Sequence, residues 1–217
     1  MMGPFRENFL DDIYFRYIPN EVFENKPHPL VIDIGANVGF FSLATFLKFP
    51  KSEIYSFEPH PYCFKVMSNY KQTFEHYTWN LFKKAVSDQD AEIKLNTSTV
   101  SGFTTMASVF DNGIKHKGFL AKTIKLDSFI TKNSITNIDF IKIDCEGAEY
   151  SIIYNLSKDS FDKINSLCIE THRGEKKNQN IDFLNSYLTQ MGFTTKVLDE
   201  AGYTGYIWAW KSKYNKS

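Results

Sequence analysis

A chain of 217 residues with 25 Lys plus Arg against 25 Asp plus Glu carries no formal net charge. That balance argues against a duplex nucleic-acid binder, which needs a broad basic surface. The length suits one domain with a central sheet covered on both faces. The three cysteines, Cys63, Cys145 and Cys168, show no metal-ligand spacing, and their odd number fits no disulfide framework. With no apolar stretch of signal or membrane-span length, the expected setting is a reducing cytoplasm.

Residues 5–23 mix apolar and acidic side chains and read as helical until Pro19. This places an N-terminal brace or lid, residues 1–29, beside whatever cleft follows. A strand is expected over residues 30–34, and it runs straight into Gly35-Ala36-Asn37-Val38-Gly39, which opens a helix over residues 38–49. A buried strand that ends this way turns sharply and lets a ligand approach its backbone. The spacing Asp33-x-Gly35-x-x-x-Gly39 is not the Gly-x-Gly-x-x-Gly that cradles a pyrophosphate, and no phosphate-binding Gly-Lys-Ser/Thr follows. The loop therefore suits a nucleoside ligand without a phosphate chain, and S-adenosylmethionine (SAM) fits that description.

A second strand over residues 53–57 ends in Glu58-Pro59, and a helix is expected over 61–74. A carboxylate at the end of strand two is placed to accept both hydroxyls of a ribose. Strand three is expected over residues 78–86. Residues 92–96 and 122–126 alternate as half-exposed strands, an added antiparallel pair. Between them, residues 97–121 are rich in Ser, Thr, Gly and aromatics and read as a long loop that binds substrate. Strand four, residues 140–143, delivers Asp144, Glu146 and Glu149 around Gly147 at its end, and a helix over 147–156 follows. Strand five, residues 166–169, leads to Glu170 and His172. A last helix puts Ile181, Leu184, Leu188 and Met191 on one stripe with Gly192 as its cap. Residues 194–198 and 206–210 close the chain as an antiparallel hairpin. The alternation predicts an α/β fold, a doubly wound, mostly parallel sheet with a C-terminal antiparallel hairpin, in one domain over residues 1–217.

The loop Asp33-Ile34-Gly35-Ala36-Asn37-Val38-Gly39, the segment Phe57-Glu58-Pro59 and the block Lys142-Ile143-Asp144-Cys145-Glu146-Gly147-Ala148-Glu149 together resemble the FkbM-type methyltransferases. Leu126-Asp127-Ser128 and the Glu170-x-His172 ending are similar to that family too, and the likeness covers residues 30–172. It implies a class I Rossmann-like fold and O-methyl transfer from SAM, with S-adenosylhomocysteine (SAH) as product, to a hydroxyl of a sugar or of a polyketide- or peptide-like natural product. On this reading Asp33 and Asp144 bind the methionine ammonium, Gly35, Ala36, Asn37 and Gly39 form the approach, and Glu58 with Pro59 frames the ribose. The backbone around Ala85 meets the adenine edge.

An alcohol acceptor needs a positioned base. The best candidate is His172, with Glu146 as the rival base and Asp144 beside them, and Glu149 is expected to face away along its helix. No metal site is assigned, although Asp144 and Glu170 could hold a divalent cation with His172. Lysines of the loop, with Arg173, Lys176 and Lys177, could make one rim basic and favour an anionic acceptor. A glycan or nucleotide-linked sugar is the expected acceptor, with no nucleic acid and no membrane span. A SAM-binding module without catalysis stays open as a different class.

Overall fold

A computed structural model describes residues 2–100, 103–108, 118–200 and 204–215. Chain order gives α1 (Met2–Phe9), β1 (Leu30–Ile34), α2 (Phe40–Lys48), β2 (Glu53–Phe57), α3 (Pro61–Thr73), β3 (Thr78–Phe82) and β4 (Ala85–Ser87). There follow β5 (Glu92–Val100), β6 (Phe103–Ser108), β7 (Phe119–Lys125), α4 (Leu126–Lys132), β8 (Phe140–Ile143), α5 (Glu149–Tyr154) and α6 (Lys158–Lys163). The last elements are β9 (Ser166–His172), α7 (Ile181–Gln190), β10 (Phe193–Glu200) and β11 (Thr204–Lys211).

The main sheet has seven strands in the order β10-β11-β9-β8-β1-β2-β3. Strands β3, β2, β1, β8 and β9 are mutually parallel, and β11 joins antiparallel to β9 and to β10. The two-residue period of the strands sorts their side chains into two cores. Ile32, Ile34, Ile141, Ile143, Leu167, Ile169 and Ile207 pack on one face with α4, α5 and α7. Val31, Phe140, Cys168 and Trp208 face the other way, where the N-terminal segment and α2 cover them. Because Asp33 and Lys142 share the parity of Val31 and Phe140, they are buried polar residues on that second face.

The doubly wound, mostly parallel architecture and the terminal hairpin agree with the sequence reading, and several boundaries differ. Residues 78–86 are not one strand: the chain turns after Phe82, and β4 leaves for a second sheet of order β4-β7-β5-β6. The expected antiparallel pair exists as β5 on β7, from Glu92 opposite Lys122 to Leu95 opposite Phe119. Where residues 97–121 read as a loop, β5 continues to Val100 and pairs antiparallel with β6. Residues 101–102 and 109–117 of that stretch lie outside the described residues.

The helix expected over 147–156 is shorter, and a separate α6 follows, capped by Ser157, whose hydroxyl accepts from the Ser160 N–H at 3.2 Å. Up to Pro19, the N-terminal segment is helical only in α1. Asp12 then takes a left-handed φ of 47°, and the chain continues in turns. It is fastened at Ile13, whose carbonyl accepts from Trp208 Nε1 at 2.8 Å.

Candidate active site

The carboxyl ends of β1, β2 and β8 open on a cavity of about 660 Å³, where ligands of open α/β sheets bind. Its floor is the turn after β1. The N–H groups of Gly35 and Ala36 both donate to the Phe57 carbonyl at 3.0 Å, which ties the turn to β2. Asn37 (φ 50°) and Gly39 (φ 88°) are left-handed, so the backbone reverses within five residues and enters α2.

Gly35 has φ 75°, and a Cβ there would collide with the Asp144 carbonyl oxygen. This glycine is thus required by β8 as much as by any ligand. Gly35→Ala combines a strained φ with an overpacked contact and is expected to destabilise the fold by about 2–5 kcal/mol. Denaturant unfolding and SAH titration of the variant check this.

Glu58 anchors the next wall. Its Oε2 accepts from the Asn37 N–H at 2.8 Å and its Oε1 from the His60 N–H at 2.7 Å. Burial pushes its carboxyl up to about 7, against the pull of those two N–H groups. Two hydrogen bonds leave further lone pairs on the carboxylate, which a ribose diol could occupy.

On the second face of the sheet, register places Lys142 directly beside Asp33 on the neighbouring strand. The Lys142 ammonium donates to the Gly35 carbonyl at 2.7 Å and lies 3.5 Å from Asp33 and 3.4 Å from Asp144. Burial would lower its pKa, but the two aspartates outweigh it and hold the amine above its ordinary value. Asp33 also accepts from Ser42 Oγ at 2.7 Å, and burial pushes its carboxyl up.

Asp33 is fully buried and is not a wall residue of the cavity. Its carboxylate is spent beneath the loop, on Lys142 and Ser42, while Asp144 reaches the cavity. Ala36 and Gly39 also lie off the wall: Ala36 packs in the core, and Gly39 sits against Trp79 and Met67. Gly35, Asn37, Glu58, Pro59, Ala85, Asp144 and Glu146 do line it.

Two groups that the sequence did not place in the site complete the charge network. Tyr14, from the N-terminal segment, sets its hydroxyl 3.3 Å from both Asp144 Oδ2 and Glu170 Oε2, with Lys142 over its ring at 5.4 Å. Glu149 is wholly buried instead of facing outward: it accepts from the Gly147 N–H at 2.8 Å and the His172 N–H at 2.7 Å. The helix it begins starts two residues later than expected, which turns its carboxylate back under the strand end.

His172 closes β9 inside the strand. Its Nε2 lies 3.4 Å from Glu146 Oε2 and its Nδ1 3.4 Å from Glu149 Oε1. Burial opposes a charged imidazole, but these two carboxylates outweigh it and raise His172 to about 9. Glu146, at a left-handed φ of 52°, is pushed up to about 6, by burial first, and Glu170 is also raised, by burial and by Asp144. A left-handed glutamate is costly and is kept where the surroundings demand it. Asp144, Glu170 and His172 bring one ligand atom each within 4.8 Å of one another.

Solved structures share this fold. The N-terminal domain of EvdMO1 with SAH bound aligns at TM-score 0.52 and 11% identity, covering 97% of this chain and 82% of that one. An rRNA methylase from Streptococcus thermophilus aligns at 0.51 and 11%, covering 88% and 90%. The class of fold is the Rossmann-like sheet of these methyltransferases. Within it, the Methyltransferase FkbM domain matches residues 33–195, and the chain belongs to that family.

The chain is 23% identical to the 31-O-demethyl-FK506 methyltransferase FkbM of Streptomyces tacrolimicus, over 77% of this chain and 73% of the relative. It is 25% identical to the 2-O-methyltransferase NoeI of Sinorhizobium fredii, over 59% and 57%. Against the AMB antimetabolite synthetase AmbE of Pseudomonas aeruginosa it is 22% identical, and the match spans 91% of this chain but 11% of that much longer relative.

Proposed function

We propose that the protein transfers the methyl group of SAM to a hydroxyl of a sugar, on a glycan or a nucleotide-linked sugar. The observation that carries the reading is the left-handed Glu146 on the cavity wall, braced by His172 and next to the groups that would hold the cofactor. Relatives whose names specify acceptor oxygens, at 2-O and 31-O, support oxygen as the acceptor atom. When bound, the cofactor supplies an electrophilic methyl on a sulfonium. The donor set suits it: Glu58 accepts from the ribose hydroxyls, Asp144 from the methionine ammonium, and the β4 segment at Ala85 faces the adenine.

Glu146 is the base in this reading, and His172 positions it. An imidazole held near 9 is protonated at neutral pH and cannot take a proton, whereas a carboxyl near 6 is mostly ionised. The sequence alone favoured His172, with Glu146 as the rival. Asp144, Glu170 and His172 serve charge balance here in preference to a metal. The Lys142 ammonium already sits on Asp144, and the imidazolium presents N–H groups where a metal would need a lone pair.

A cytoplasmic setting fits the three free cysteines. Among the described residues no helix is long and apolar enough to cross a membrane.

Mass spectrometry of glycans and secreted metabolites, from cells with the gene intact and disrupted, tests the reading. Loss of a methyl from one sugar residue is expected. Unchanged glycans with an unmethylated small metabolite would overturn the sugar in favour of a natural product. No change in either pool, with SAM bound by the purified protein, would favour the non-catalytic module.

A further inference from the structure

A second cavity, of about 560 Å³, opens beside the first, between the end of β9, the start of α7 and the terminal hairpin. Gln179 lines both cavities, so the loop over residues 173–180 is the partition between them. That loop is built rather than draped. Gly174 N–H donates to the Gln179 carbonyl at 3.0 Å, Lys176 N–H to Gln179 Oε1 at 3.1 Å, and Tyr154 Oη to the Asn178 carbonyl at 2.8 Å.

Three cations line this second cavity, Arg173, Lys176 and Lys177, and none makes an ion pair among the described residues. The ten-residue α7 begins on the same wall. Its cap Asn180 accepts from the Phe183 N–H at 3.1 Å, and the N–H groups of the first turn precede any intrahelical acceptor.

An independent observation points to a ligand. Tyr150 is a wall residue, 1% exposed, and its hydroxyl has no hydrogen-bond partner among the described residues. A buried hydroxyl left without a partner is costly. Glu175, Asp182 and Asp199 also stand on the wall. The net field is therefore balanced, and recognition rests on directed donors: a guanidinium, two ammoniums, a helix start and the Tyr150 hydroxyl.

We propose that this second cavity is a subsite for the phosphate or diphosphate group of an anionic acceptor, whose sugar reaches through the Gln179 partition to the methyl-transfer cleft. As an acceptor subsite it rests on the sugar reading above, while anion binding is measurable without it. A guanidinium fork matches a phosphate edge, lysines add point charge, and helix N–H groups complete the shell.

The test is calorimetric titration of SAH-saturated protein at low salt with pyrophosphate and, separately, inorganic phosphate. Saturable binding is expected, weakened about tenfold or more by Arg173→Gln and by the pair Lys176→Gln/Lys177→Gln. Tyr150→Phe, which keeps the packing, should weaken it several-fold. Preference for pyrophosphate identifies a nucleoside-diphosphate sugar as the source, and preference for phosphate a sugar phosphate. Lack of saturable binding, or binding that the substitutions leave intact, overturns the subsite. SAH titration of the unmodified protein is the separate control: its failure strikes the methyltransferase reading and leaves the pyrophosphate result to stand on its own.

Discussion

Glu146→Gln is expected to lower kcat by about 10²–10⁴-fold while SAH affinity stays within a small factor of the starting protein. The amide keeps the shape of the side chain and its place on the cavity wall but cannot accept a proton. The pH profile supplies the independent check. Glu146 must be ionised to act as a base, so kcat should rise with pH through about 6, the value to which burial lifts it. His172 holds Glu146 only while protonated, so kcat should fall again as pH passes about 9.

His172→Asn would then remove the alkaline limb and lower kcat less than Glu146→Gln does. If Glu146→Gln turns over at the original rate, or if His172→Asn is the more damaging of the two, the assignments are reversed. Single-turnover kinetics at several pH values decides between them.

The second large effect is on stability. Lys142→Met is expected to cost about 3–5 kcal/mol, because it leaves the wholly buried Asp33 without its cation. For a chain of this size that is a fall in Tm of about 6–20 °C. The loss should grow with pH. Burial already raises Asp33, and without Lys142 its folded pKa climbs further above the unfolded value. The folded state then holds a proton that the unfolded state has released, so stability declines as pH rises through that window.

Lys142→Met/Asp33→Asn should recover most of the loss, since both charges leave together. No recovery in the double variant would mean that the Gly35 carbonyl contact at 2.7 Å, not the charge pair, is what Lys142 supplies. Thermal unfolding of the three variants at pH 5 and pH 8 separates the two.

Much of this was legible in the linear chain, and for a local reason. A strand that ends in glycines, an acid that precedes a proline at the end of strand two, and an acid–glycine cluster at the end of strand four are each written within ten residues. Their chemistry follows from backbone freedom and side-chain type. Gly35, Asn37, Glu58, Asp144 and Glu146 line one cavity, and so does Ala85, which only the family resemblance had named. The succession of strands and helices was equally local, and it gave the mostly parallel sheet with its terminal hairpin.

What only the tertiary structure decided is how the charges are paired. Asp33 and Asp144 are the same residue type at the ends of neighbouring strands and share Lys142, yet register buries one wholly beneath the loop and leaves the other at the cavity. Tyr14 reaches Asp144 across 130 residues of sequence and Glu170 across 156, contacts with no local trace. The role of His172 likewise depends on two carboxylates that come from the far end of β8 and the start of α5. Secondary structure and glycine turns answer to near neighbours in the chain, whereas the protonation of a buried group answers to whatever charge the fold brings within a few ångströms. That pairing exists only once the strands are in register.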